Sequence, residues 1–125
     1  MDLHIADEKL QDGVFVAVGG GTFNSVAALR LLKQICDTAS EKHVKKILVN
    51  ALALDGAVSE LERYEVAAEL TKYLQQRGWD YRLAIVGKPP TVDGFGVRVA
   101  QNRGMSAEHF TTEQEAMTWL KSWPD

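Results

Sequence analysis

Several features that identify a protein at sight are missing from this sequence. It has one cysteine, Cys36, in 125 residues, which excludes an internal disulfide; within a helical pattern it reads as a buried thiol. No apolar run approaches the roughly 20 residues that cross a bilayer, so no integral membrane segment is expected. The start, Met-Asp-Leu-His-Ile-Ala-Asp-Glu, has neither the cationic opening nor the apolar core of a signal peptide, and a cytoplasmic protein is expected. Basic charge is in deficit: 14 Lys and Arg against 17 Asp and Glu leave a net charge of -3, the opposite of a nucleic-acid binder. His4, His43 and His109 fall on three elements with no ligand spacing, so neither a metal nor another cofactor is expected. No nucleophile sits beside a base and no acid pair is set apart, so no catalytic residue is assigned and a non-enzyme is expected. Linkers, repeats and low-complexity tracts are absent too. The chain reads as a single domain over residues 1–125.

What the sequence does contain is a rhythm of elements. Val14 to Val18, Ile47 to Val49 and Leu83 to Val86 are continuously apolar, as strands buried on both faces of a largely parallel sheet are. Ahead of them, Leu3 to Asp7 alternates like an edge strand, and the polar run Glu8 to Gly13 turns the chain back. Gly19-Gly20-Gly21-Thr22 breaks the second strand and leads into a helix from about Asn24 to His43. Its inward stripe holds Ala28, Leu29, Leu32, Ile35, Cys36 and Ala39. A third strand, Lys46 to Ala51, is followed by an apolar loop from Leu52 to Val58. Ser59 and Glu62 then form a capping box for a helix that ends at Arg77 before Gly78. Strand Tyr81 to Val86, helix Asp93 to Arg103, strand Ser106 to Phe110 and a last helix behind Thr111 and Thr112 complete the order. That order, ββαβαβαβα, predicts an α/β domain with a mixed, mostly parallel five-stranded sheet.

Side-chain parity extends the reading. Val14, Val16, Val18, Ile47, Val49, Leu83 and Ile85 are expected on one aliphatic face, and Phe15, Ala17, Leu48, Asn50, Arg82, Ala84 and Val86 on the other. Right-handed crossovers between strands laid down in order put every helix on one side. The second face then either stays partly open, as a homodimer interface bearing Phe15 and Leu48, or is covered by the terminal helix.

Certain segments resemble a known family. Ile47-Leu48-Val49-Asn50, Leu54-Asp55-Gly56 and Ser59-Glu60-Leu61-Glu62-Arg63-Tyr64-Glu65 are similar to the SpoIIAA-like bacterial proteins of the STAS/SEC14 group. So are Ala84-Ile85-Val86-Gly87, Asp93-Gly94-Phe95-Gly96, Ala100-Gln101-Asn102-Arg103-Gly104 and Phe110-Thr111-Thr112-Glu113-Gln114-Glu115-Ala116, closing on Trp119-Leu120. The resemblance spans the chain from about Val14 and implies a β-α superhelix, shared with anti-sigma-factor antagonists and more distantly with SEC14-type lipid-binding domains. It also implies a phosphoacceptor position where the third-strand loop enters the second helix. Here Ala57-Val58-Ser59-Glu60-Leu61 replaces the usual Asp-Ser-Ser-Gly-like segment, so only Ser59 falls on that position. Asn50 stands where a strand-end aspartate is common, and the chain is far shorter than a SEC14 lipid carrier.

Candidate site residues follow from the topology, because ligands of open α/β sheets collect at the carboxyl ends of the strands. The expected rim for a ligand or partner holds Gly20, Gly21, Thr22, Asn50, Leu54, Asp55, Arg63 and Phe95. Gly19 to Thr22 lacks both the dinucleotide spacing and the Gly-Lys-Ser/Thr ending of a phosphate loop, and reads first as a turn and second as an anion site. Ser59 is a helix cap first and a phosphoacceptor second, since Glu60 and Glu62 would repel a phosphate. Asp55, Glu62, Arg63 and Glu65 read as a solvated charge cluster with an Arg63 ion pair. Leu52, Leu54, Val58, Val92 and Phe95 either line a shallow apolar groove or pack the top of the core. Two functions are therefore expected: a non-enzymatic STAS-like module binding an unidentified protein, or a small domain binding an apolar ligand or lipid in the SEC14 manner.

Overall fold

The computed structural model describes residues 1–78 and 80–124. It contains, in order, β1 (His4–Gln11), β2 (Val14–Thr22), α1 (Ser25–Glu41), β3 (Lys46–Asp55), α2 (Glu60–Gln76), β4 (Arg82–Val86), α3 (Phe95–Asn102), β5 (Ser106–Phe110) and α4 (Glu113–Lys121). The five strands form one sheet in the order β1-β2-β3-β4-β5, antiparallel at β1 and parallel throughout the rest.

Three boundaries differ from the sequence expectation, each for a local reason. First, β1 continues to Gln11, so Glu8 to Gln11 is strand rather than turn. An edge strand keeps its outer side in water and tolerates polar residues. The reversal needs only Asp12 and Gly13, both at positive φ (52° and 79°), the geometry of a tight two-residue hairpin. Second, Gly19 to Thr22 does not break β2; it is the last four of the strand's nine residues, with Gly19 and Gly20 paired to β1 and Gly20, Gly21 and Thr22 paired to β3. Glycine is needed there because the N-terminal segment crosses so closely: a Cβ on Gly21 would lie 2.3 Å from the Asp2 carbonyl oxygen. Third, β3 runs to Asp55, so the loop expected over Leu52 to Val58 is half strand. The pairs Gly20↔Ala53, Gly21↔Leu54 and Thr22↔Asp55 carry both strands outward past an irregularity after Val18.

Pairing also fixes the faces. Phe15 lies opposite Ile47, and Ile47 opposite Leu83, so these three share a face. The expected parity of β2 was therefore one residue out of step. Phe15, Ala17, Ile47, Val49 and Leu83 pack beneath α1, α2 and α3, against Ile35, Cys36, Ala39, Leu70, Leu74, Val97 and Ala100. On the other face Val14, Val16, Leu48, Ala84 and Val86 are covered by α4 through Ala116 and Leu120. The homodimer surface expected around Phe15 and Leu48 is not available. Phe15 points into the three-helix side at 2% exposure, and Leu48 is sealed by α4 at 0%. Polar ties hold α4 down: Lys46 Nζ donates to the Trp123 carbonyl at 2.6 Å, and Lys121 pairs with Asp12 at 3.0 Å. Outside the helix, Arg82 lies over the Trp123 ring, 4.1 Å from its centroid.

Two outcomes test this packing. Leu120→Ala removes the centre of the α4 contact and should cost about 2–5 kcal/mol in urea unfolding, without changing the fold class seen by circular dichroism. Burial, with Asp37 adding to it, pushes the Cys36 thiol up from 9.0 to about 12. The unfolded thiol therefore ionises first, and Cys36 contributes stability that is intact below pH 9 and lost as pH rises toward 12. Urea midpoints of the wild type should fall over that window more steeply than those of Cys36→Ala.

Candidate functional site

The carboxyl ends of β2, β3 and β4 and the loops behind them form one edge. At its centre Thr22 Oγ1 donates to Asp55 Oδ1 at 2.7 Å, and the Phe23 N–H donates to the Asp55 carbonyl at 2.8 Å, so β2 and β3 are locked at their last pair. The short loop 56–59 then delivers Ser59, exposed, as the N-cap of α2. Its Oγ accepts from the Glu62 N–H at 3.1 Å and donates to Glu62 Oε1 at 3.0 Å, while Glu62 Oε1 also accepts from the Ser59 N–H at 3.0 Å. This is the expected capping box. These bonds, first from the backbone and then from the hydroxyl, hold the Glu62 carboxyl below its ordinary range.

One turn along α2, Arg63 reaches across to the loop between β4 and α3. A terminal guanidinium nitrogen donates to the carbonyls of Pro90 and Thr91, and Nε lies 3.4 Å from Asp93 Oδ1 without hydrogen-bond geometry. The sequence placed the Arg63 ion pair among Asp55, Glu62 and Glu65; the partner is Asp93 on a different element. Asp93 in turn accepts from the Phe95 N–H at 3.0 Å, ahead of α3. Nearby, His109 Nε2 donates to the Gly87 carbonyl at 2.9 Å and closes β5 onto the end of β4.

The structure brings some predicted rim residues together and separates others. Thr22, Asp55, Ser59, Leu54 and Arg63 share this edge. Gly20 and Gly21 are inside a paired strand, so they offer no open amide loop for an anion. Asn50 lies on the α4 side, where its side-chain nitrogen donates to Glu113 at the start of α4, and its side-chain oxygen accepts from the Leu52 N–H at 3.0 Å. Phe95 begins α3 with Arg98 near its ring, 5.9 Å from the centroid. Of the expected groove residues, Leu54, Val58 and Val92 line a cavity, whereas Leu52 is exposed.

That cavity, about 200 Å³, lies between the sheet and α1, α2 and α3. Leu32, Val66, Leu70, Val97, Met105 and Ile85 form much of its wall, and Arg63, Thr91 and Asp93 supply a polar side. Ile85 sits in an interior strand on the helix-covered face yet stays partly accessible, because no side chain fills the space above it. The sequence led to the expectation of a shallow apolar groove, and Leu54, Val58 and Val92 do line this space; its extension beneath the helices, beside the small residues Ala67, Gly96 and Ala100, was not foreseen. Among the described residues no group of three or more His, Cys, Asp or Glu could hold a metal ion.

No protein family's sequence model matches the chain, and no curated protein does. Solved structures do. An anti-sigma factor antagonist from Mycobacterium paratuberculosis aligns with a TM-score of 0.59 at 15% identity, over 96% of this chain and 95% of that one. A protein with a SpoIIAA-like fold from Shewanella loihica gives 0.56 at 19% identity, over 94% and 93%. A variant of RsbS from Moorella thermoacetica gives 0.55 at 17% identity, over 92% and 96%. The chain has the STAS/SpoIIAA-like fold, as the sequence resemblance implied. No helix among the described residues is long and apolar enough to cross a membrane.

The capping box makes its own prediction. Ser59→Ala should cost about 1 kcal/mol at pH 7. Because the Glu62 carboxyl is depressed, its contribution is present above its unfolded value of 4.5 and fades as pH falls below that. The difference in thermal midpoint between wild type and Ser59→Ala should therefore shrink at pH 3.

Proposed function

We propose that this protein is a non-enzymatic regulatory module of the STAS type, acting in the cytoplasm and binding a protein partner through the edge that carries Ser59. The observation behind the reading is the position of Ser59. It is an exposed hydroxyl at the junction of β3 and α2, on a rim held rigid by the Thr22–Asp55 bond and the Arg63 contacts. Support comes from the company the fold keeps: an anti-sigma factor antagonist, RsbS and the stressosome are among its structural neighbours.

In this reading Ser59 is the phosphoacceptor and phosphorylation is the switch. A phosphate on Oγ would face the free N–H groups at the start of α2, which favour negative charge, and would also break the hydroxyl bond to Glu62 and repel that carboxylate. The net result is a changed charge and a loosened first turn at the partner surface. Partner contacts centred on Asp55 and Ser59 would respond to both.

The test is a kinase assay with site mapping, followed by partner binding. Phosphate should map to Ser59, disappear in Ser59→Ala, and weaken partner binding by at least about tenfold, the size of one lost charge-assisted contact. Equal partner affinity for the phosphorylated, unmodified and Ser59→Ala forms would remove Ser59 from the mechanism.

A further inference from the structure

We propose that the end of β3, over residues 51–55, takes an extended peptide segment of the protein partner as an added strand, with a carboxylate of that segment paired to Lys88. The inference rests on the partner-binding reading above and gives the partner's docking segment its form.

The register of the sheet leaves this edge open. β4 stops at Val86, opposite Asn50, while β3 continues to Asp55 with β2 alongside it. Ala53, Leu54 and Asp55 pair with β2, and no strand lies on their other side. The Leu52 N–H goes to the Asn50 side chain rather than to a neighbouring strand. At about 3.3 Å per residue this free edge is about 16 Å long.

The outer edges of the sheet are defended, and this one is not. β1 presents Asp7, Glu8 and Lys9 and is irregular between Ile5 and Asp7, two devices that discourage strand addition. On β5 the Ala107 carbonyl accepts from Gln101 Nε2 at 2.7 Å. Residues 51–54 of β3 read Ala-Leu-Ala-Leu, without a charge, and Leu52 is 43% exposed. An uncharged, open edge is the surface on which an extended peptide adds as a strand.

The far wall decides the occupant. The loop after β4, through Lys88, Pro89 and Pro90, bounds a groove of about 500 Å³ with Leu52, Leu54 and Asp55. Arg63 holds that wall through the Pro90 and Thr91 carbonyls, and the Thr91 hydroxyl lies 3.5 Å from the Gly56 carbonyl oxygen. The same wall stands beside the same edge in every copy, so it keeps two folded domains from joining these edges and admits a single extended chain. Lys88 is exposed and makes no ion pair among the described residues, whereas Asp55 accepts from the Thr22 hydroxyl. A carboxylate at the Lys88 end of the segment gains a charged partner, and β-branched residues suit the extended backbone over Leu52.

The probes are acetyl-Glu-Thr-Val-Thr-Val-Thr-amide and its reverse, acetyl-Thr-Val-Thr-Val-Thr-Glu-amide, one for each strand direction. They are titrated into the full, unphosphorylated chain and read by backbone NMR at pH 7. One of them should shift the amides of Ala51 to Asp55 and of Lys88 saturably. Alternate amides of a strand point to opposite edges, so N-methylating the valines or the threonines of that peptide should give two forms that differ at least about tenfold in affinity. Lysine in place of the peptide's glutamate should weaken binding, and Lys88→Glu should reverse that preference. Because no phosphate is present, a failed titration leaves the Ser59 assay standing, and a failed Ser59 assay leaves the titration standing. No saturable shift from either peptide, equal affinity of the two N-methylated forms, a charge preference unmoved by Lys88→Glu, or a dimer in sedimentation that Leu52→Asp dissolves would each overturn the proposal.

Discussion

Sequential strand order under right-handed crossovers is the constraint on which the structure depends. With β2, β3, β4 and β5 parallel and laid side by side in chain order, α1, α2 and α3 must return over the same face. The other face of an apolar sheet is then left to whatever follows β5. Here that is α4, whose Ala116 and Leu120 are wholly buried on Val14, Val16, Leu48, Ala84 and Val86. The contacts at its two ends, Asn50 with Glu113 and Lys46 with the Trp123 carbonyl, show how a nine-residue helix is seated along the strands rather than across them.

The same constraint gathers the functional features. Parallel strands end together, and the extension of β2 and β3 to Thr22 and Asp55 builds a stiff lip from which a short loop presents Ser59. Three helices on one face must share its width. Where their inward residues are Ala67, Gly96 and Ala100, the helices draw together without filling the space over Ile85. The lip and the cavity meet in the first turn of α2: the Ser59 carbonyl accepts from the Arg63 N–H at 3.1 Å, and the Arg63 side chain borders the cavity. A change in the cap and a change beside the cavity therefore act on one piece of backbone.

Much of this was legible in residue order. Continuous apolar runs announced the interior strands, the Ser59–Glu62 spacing announced the start of α2, and the inward stripe of α1 was right in Ala28, Ile35, Cys36 and Ala39. Errors came where local pattern and pairing disagree. Gly19-Gly20-Gly21 looks like a break because glycine weakens an isolated strand, yet two neighbouring strands supply the hydrogen bonds and the crossing N-terminal segment demands the small residue. Leu52 to Asp55 looks like loop because it follows a complete strand, but β2 continues alongside it. Arg63 was assigned to its nearest acidic neighbours in sequence; its partner Asp93 lies 30 positions away, and no spacing rule connects them.

The sequence by itself determined the element order, the mostly parallel sheet and the capped entry of α2, because hydrophobic period and caps are written within a few residues of where they act. Only the tertiary structure decided which face Phe15 occupies, that α4 and not a second subunit covers the other face, and that a space remains beneath the helices. Those outcomes depend on register and on distances between helices. A one-residue slip in pairing inverts every side chain of a strand while leaving its sequence pattern unchanged.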